Sequence, residues 1–182
     1  MSWTPYFSAQ FTKPLIRQLI AIIYRDMPSA LALMNPSYAS FQEWDLAEQP
    51  VINFPALLII PREVQFDEQQ PFNRAQTIQI ALGIAVAHQD PNAVAEILQD
   101  YVRAVDQVLE TSWMSTSSDF SLTTLPLPSP PFAVGTLAPG LPGGTVKEVH
   151  IIAHTYDELR QRAQGLFAKA ATINLKVMLQ ET

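Results

Sequence analysis

Between Gln76 and His88 the chain alternates without a break. Ile78, Ile80, Leu82, Ile84 and Val86 share one parity, and Gln79, Ala81, Gly83, Ala85 and Ala87 share the other. Successive side chains of a β-strand point to opposite faces of its sheet, so a period of two kept up over a dozen residues predicts a long strand. Its two faces differ in kind. One is large and branched, as a core-facing surface is. The other is small rather than charged, where a solvent face would more often carry Lys, Thr or Glu. A face of Ala and Gly can accept a closely packed helix or the backbone of another subunit.

Other elements follow from the same kind of pattern. Leu15, Ile16, Leu19, Ile20, Ile23 and Met27 recur at helical spacing, which predicts a helix over 13–27 that Thr12 caps and Pro28 stops. Residues 28–54 read as irregular, tied down by Phe41, Trp44 and Leu46. Ala56 to Ile60 is an apolar run between prolines and reads as an internal strand. Residues 61–74 read as a polar loop that reverses direction. Asp90-Pro91 opens the clearest helix: Asp90 caps it, and Pro91 stands where its missing N–H costs nothing. Val94, Leu98, Tyr101, Val105, Val108 and Leu109 form its apolar stripe, ending near Thr111, with Glu96, Asp100, Arg103, Asp106 and Glu110 on the other side.

Residues 112–145 break every period. Six prolines fall between Pro126 and Pro142, and Gly135, Gly140, Gly143 and Gly144 lie among or beside them. So long a stretch predicts an extended arm, projecting between Pro128 and Gly144, with Phe120, Leu122, Leu125 and Leu127 docked. Strands are expected at 146–156 and 172–180, with a short helix or irregular crossover over 157–168. In the first of these strands Val149, Ile151 and Ala153 would face away from His150, Ile152 and His154. The order of elements predicts an α+β, sandwich-like single domain over 1–182. It would hold one mixed, mainly antiparallel sheet with helices on one face and a long proline-rich insertion.

Charge narrows what such a chain does. Apolar residues are 48% of the 182, enough for a core, while charged residues are only 15%, against roughly 25% in an average domain. With no apolar run long enough to span a bilayer, that deficit predicts an uncharged surface that meets other protein. Seventeen acidic against eleven basic residues give a net charge of -6, which argues against gripping a nucleic-acid backbone. No cysteine is present, which removes disulfides, thiolate metal sites and thiol nucleophiles. The N-terminus lacks the features of a signal peptide, so a soluble chain made in the cytoplasm is expected.

No catalytic constellation emerges. His150 and His154 have the spacing of helical metal ligands, but in a strand four residues cover about 13 Å, too far for one ion. His88 with Asp90 has no nucleophile near it, and capping accounts for Asp90. Asp157 and Glu158 are likewise read as capping residues. The glycines from Gly135 to Gly144 are followed by none of the residues of a phosphate-binding loop. Arg160, Arg162, Lys169 and Lys176 make the C-terminal quarter mildly basic, and ion pairs to the acidic helix 92–111 would absorb them. No catalytic, cofactor-binding or metal residue is therefore assigned. Assembly is the leading function class; a small enzyme or ligand-binding domain with a pocket between helix 92–111 and the sheet is the alternative.

Several segments together resemble the tail-terminator, or tail-completion, family of long-tailed bacteriophages. They are the N-terminal helix, Phe54-Pro55-Ala56-Leu57-Leu58-Ile59, the strand Thr77–Ala87, and the helix Val94–Leu109 with its "YVRAVDQVLE" end. The last is the closing run "HTYDELRQRAQGLFAKAATINLKVMLQE" from His154 to Glu181. About three quarters of the chain is covered. The resemblance implies a mixed sheet flanked by helices and a hexameric ring that caps the tail tube, ends its polymerisation and helps join the head. It implies partners in the tube and the head–tail connector, a place in the virion's tail or neck, DNA passing through unbound, and no cofactor. The long strand and the loop before it would correspond to ring and tube contacts. A neighbouring neck or tube adaptor would share the pattern. Residues 112–145 and 28–53 are longer than the family's usual connections.

Overall fold

In a computed structural model, residues 12–45, 53–67, 75–114, 144–162 and 165–181 are described. Two helices, α1 (Thr12–Met34) and α2 (Pro91–Val108), pack on a sheet of β1 (Glu43–Asp45), β2 (Ala56–Asp67), β3 (Ala75–His88), β4 (Gly144–Tyr156) and β6 (Phe167–Glu181). The strands lie in the order β1-β2-β3-β6-β4, and the two-residue β5 (Arg160–Gln161) pairs with β6. Among the described strands, only β1 runs parallel to its neighbour. This is an α+β fold, as the pattern of elements predicts.

The centre is the β3–β6 pair, antiparallel from Ala75 opposite Gln180 to His88 opposite Phe167. Register places Ile78, Ile80, Leu82 and Ile84 across from Val177, Leu175, Ile173 and Ala171, and every one of these is buried. Leu57 and Ile59 extend the layer onto β2. Against it pack Leu15, Leu19 and Ile23 of α1 and Val94, Leu98, Tyr101 and Val105 of α2. Each such side chain contributes on the order of 1.5–3 kcal/mol by leaving water, so this layer dominates stability. It also fills the space between helix 92–111 and the sheet, where the alternative reading expects a pocket.

Local chemistry sets the boundaries. Asp90 accepts a hydrogen bond from the Asn92 N–H at 2.8 Å and caps α2, with Pro91 in the first turn. The helix then widens into a π-helical turn, Leu109–Met114, whose Leu109 is buried. The last three residues of that turn and the first two of β4 take the ends of the expected 112–145 arm. Residues 115–143, which hold the projecting part and its four expected docking residues, lie outside those described.

Three expectations are corrected. α1 does not stop at Pro28 but continues to Met34 with the proline inside. A proline costs a helix interior about 3 kcal/mol. Here its ring faces outward, and burial of Met27, Ala30 and Leu31 on the same helix offsets that cost. Residues 61–67 are strand rather than loop, because β2 pairs with β3 out to Asp67 opposite Ala75. The 28–54 segment contains β1, and Phe41 is buried beside it; Leu46 lies outside the described residues. Of the two readings of 157–168, the described residues take the irregular crossover, with β5 at Arg160–Gln161 and Gly165 in a 3₁₀ turn. The Asp157 N–H donates to the Ala170 carbonyl, the Arg162 N–H donates to the Leu166 carbonyl, and Gly165 turns the chain with a φ of 72°. Leu159, which lent that stretch its helical spacing, is exposed.

Candidate functional site

A sheet can meet other protein through its edges or its faces, and here the edges are blunted. β4, the outer strand on one side, carries two irregularities of register, between Val146 and Glu148 and between Ile151 and Ala153. On the other side β1 covers only Ala56–Leu58 of β2, and the strand beyond is broken at Pro61/Glu63. Bulges and an edge proline twist a strand away from flat pairing. One face is sealed by α1 and α2. Among the described residues, nothing covers the other.

That open face has two halves. Toward the β2–β3 turn it is polar: Glu63 accepts hydrogen bonds from Gln65 at 2.9 Å and Gln79 at 3.1 Å, and Gln79 stands opposite Lys176. Toward the other end it is a trough of about 290 Å³. Ala81, Gly83 and Ala85 of β3 form its floor with Ala168, Ala170 and Thr172 of β6. Leu58, Ile60 and Phe54 make one wall, and the segment from Asp157 to Arg162 makes the other. The walls meet where the Arg162 guanidinium lies 6.0 Å from the centre of the Phe54 ring, within reach of a cation–π contact. A methyl added at Gly83 would meet only Leu58, at an ordinary 3.5 Å. Small side chains alone make the floor low.

The guanidinium wall also corrects the expected fate of the basic C-terminal quarter. Arg160 and Arg162 line the trough, and Lys176 lies on the same side of the sheet as Gln79. Helix α2 lies on the other side. Among the described residues, no ion pair joins these three to the α2 acids, because the sheet stands between them; Lys169, opposite Val86, has the helix-side parity and is not ion-paired to them either.

The histidines lie in β4, as expected, but not on one face. The extra residue near Ile152 reverses the parity, so His150 stands opposite Lys176 and His154 opposite Ile173. His150 Nε2 is 3.0 Å from Glu148, and His154 Nε2 is 3.2 Å from Asp106 on α2. Burial raises the Asp106 carboxyl above its ordinary value, and the nearby His154 works against that rise. The adjacent Ile151 and Ile152 break the alternation; they are the one sequence signal of this bulge. His88 takes a hydrogen bond from the Asp90 N–H at 3.0 Å, so this pair forms a helix start. Among the described residues, no group of three or more His, Asp or Glu is placed to hold a metal ion.

A last polar cluster fastens the link after α1. The Tyr38 hydroxyl donates to Asp100 at 2.8 Å, and the Tyr101 hydroxyl donates to the Ala39 carbonyl at 2.5 Å. Their rings lie 5.5 Å apart, and Phe41 is 5.6 Å from Tyr101. Loss of water pushes both phenols up to about 12, helped at Tyr38 by the Asp100 carboxylate and at Tyr101 by Tyr38. This cluster holds structure rather than substrate.

No protein-family model and no curated protein matches the sequence. Thirty-one chains of solved structures match. One belongs to a structure described as the virion of a native gene transfer agent particle. It is 7% identical over 87% of this chain and 97% of that one, with a TM-score of 0.36.

Proposed function

We propose that this chain is a structural subunit of a phage-type tail. It acts as a ring, expected to be hexameric, on the end of the tail tube, where it stops polymerisation and offers a surface for joining the head. The observation that carries the reading is the open sheet face, with a low Ala/Gly floor and no covering layer among the described residues. A face that no helix of its own subunit covers, on a chain with only 15% charged residues, is suited to contact with other protein. The sheet flanked by helices agrees with the architecture that the sequence resemblance implies. The partners are other copies of the chain, the tube protein and the head–tail connector. DNA passes through without being held, since the net charge of -6 repels phosphates on average. The reading assigns no catalytic residue, cofactor or metal, and puts the chain in the virion's tail or neck after assembly in the host cytoplasm.

Two measurements on the full chain test it. Native mass measurement with electron microscopy is expected to show closed rings, in solution or on the ends of tubes. Addition of the chain to polymerising tube protein is expected to fix tube length. A chain that stays a single copy at high concentration, and leaves tube growth untouched, overturns the proposal.

A further inference from the structure

We infer that the trough receives the helix layer of a second copy, head to tail, with the outward side of α2 set against the guanidinium wall. This rests on the assembly reading above and names the contact it uses. The trough and the helix layer lie on opposite faces of one subunit, so neither can serve the other within a chain. A contact between two different patches repeats from copy to copy and closes into a ring when the rotation allows it.

Charge chooses the occupant. The trough is rimmed by Arg62, Arg160 and Arg162 against Asp157 and Glu158, a net positive set. The outward side of α2, continued by its π-helical turn, is net negative: Glu96 and Glu110 are exposed, seven residues to either side of the exposed Arg103. Asp100 is already engaged by Tyr38, and Asp106 by His154. Sheet and helix layer therefore present opposite signs, and Arg103 has Asp157 and Glu158 to meet. Ala93 and Ala95 leave the first turns of α2 slim, and α2 is about 27 Å long, longer than the floor. Among the described residues, the most exposed large apolar side chain of the helix layer, Leu33 at 72%, borders the groove between the ends of α1 and α2.

Charge reversal on each side separates this contact from others. Arg160→Glu with Arg162→Glu changes the trough, and Glu96→Lys with Glu110→Lys changes the helix layer; all four residues are exposed, and circular dichroism would verify folding. Each double variant alone is expected to assemble at least about ten-fold more weakly by sedimentation. Mixing the two, or joining all four changes in one chain, is expected to restore rings. Raising salt is expected to weaken assembly of the unaltered chain. If rings form undisturbed by either variant, or if only the trough variant fails, the helix layer is not the occupant, although the assembly reading survives. Failure of the folded four-fold variant to recover would also overturn the contact. An unaltered chain that forms no ring, in solution or on tubes, removes the assembly reading itself.

Discussion

The two faces of the β3–β6 pair share one backbone and one register, and differ only in which parity of residue they display. The helix-side parity carries Ile78, Ile80, Leu82 and Ile84 against Val177, Leu175 and Ile173, all sealed under α1 and α2. The other parity carries Ala81, Gly83 and Ala85 against Asn174, Thr172 and Ala170, with no layer over it among the described residues. The lesson is that large residues mark where the subunit holds itself together, and small ones mark where it leaves room. The floor alanines are nonetheless buried, Ala81 at 1% and Ala85 at 7% of their full surface. Burial alone does not separate a core from a contact face; side-chain size and what lies above do.

The comparison breaks most easily with a pair of truncations. Leu82→Ala on the sealed face is expected to cost 2–5 kcal/mol, the loss of transfer free energy plus an unfilled cavity. Leu58→Ala on the half-exposed trough wall is expected to cost the isolated chain less than about 1.5 kcal/mol. Its main effect should fall on ring formation. Denaturant unfolding of both variants decides the matter. Equal losses would mean that the trough is a core in its own right.

The phenols sharpen the contrast on the helix side. Tyr101→Phe leaves the Ala39 carbonyl without its donor and is expected to cost about 1–2 kcal/mol. Both phenols stand at about 12 in the fold against an ordinary value of 10.0. A value raised by folding contributes stability that is present below the unfolded value and lost as pH climbs through the folded one. Stability from this pair should therefore hold up to about pH 10 and fall between 10 and 12. Ultraviolet absorbance of tyrosinate during an alkaline titration would show two groups ionising late, and Tyr38→Phe with Tyr101→Phe would abolish that step.

Much of this asymmetry is written in the sequence, and the parts that are not fail for identifiable reasons. The long strand is legible because its alternation never lapses, and α2 is legible because cap, proline and stripe agree. Pro28 misleads because a local breaker yields to tertiary burial of Met27, Ala30 and Leu31. Pro61 to Asp67 misleads because the proline and the charged Arg62, Glu63 and Asp67 outweigh a short alternation of two apolar residues, Val64 and Phe66, of which Val64 packs against the core. The 157–168 stretch leaves a short helix and an irregular crossover both open, because apolar spacing cannot tell an exposed Leu159 from a buried one. Of the candidate site, the Ala/Gly floor can be read directly. Its arginine wall cannot, since the Asp157–Arg162 segment reaches the floor only through the turn at Gly165.

A smaller effect probes the floor. Gly83→Ala is expected to stabilise the isolated chain by about 0.5–1 kcal/mol, because glycine inside a strand costs that much and the added methyl meets Leu58 at an ordinary distance. Thermal unfolding measures it. If a partner backbone packs on the floor, the same methyl should weaken assembly while it strengthens the subunit. Gains in both would place the partner elsewhere.

The smallest effect belongs to Asp106, where the helix side touches the sheet edge. Burial raises its carboxyl, so the fold disfavours the charged form, while His154 at 3.2 Å works the other way. A raised carboxyl contributes stability that is present below the ordinary value of 3.8 and lost as pH rises through the folded one. At neutral pH, then, the charge is a net cost. Asp106→Asn should raise stability there by less than about 0.5 kcal/mol, a figure kept small because both partners are partly exposed and solvent screens them. Below about pH 4, where aspartate itself is protonated, the difference should vanish. Unfolding curves at the two pH values decide the sign. A loss at neutral pH would mean that attraction to His154 outweighs desolvation, so that the pair binds β4 to α2 by charge rather than by burial.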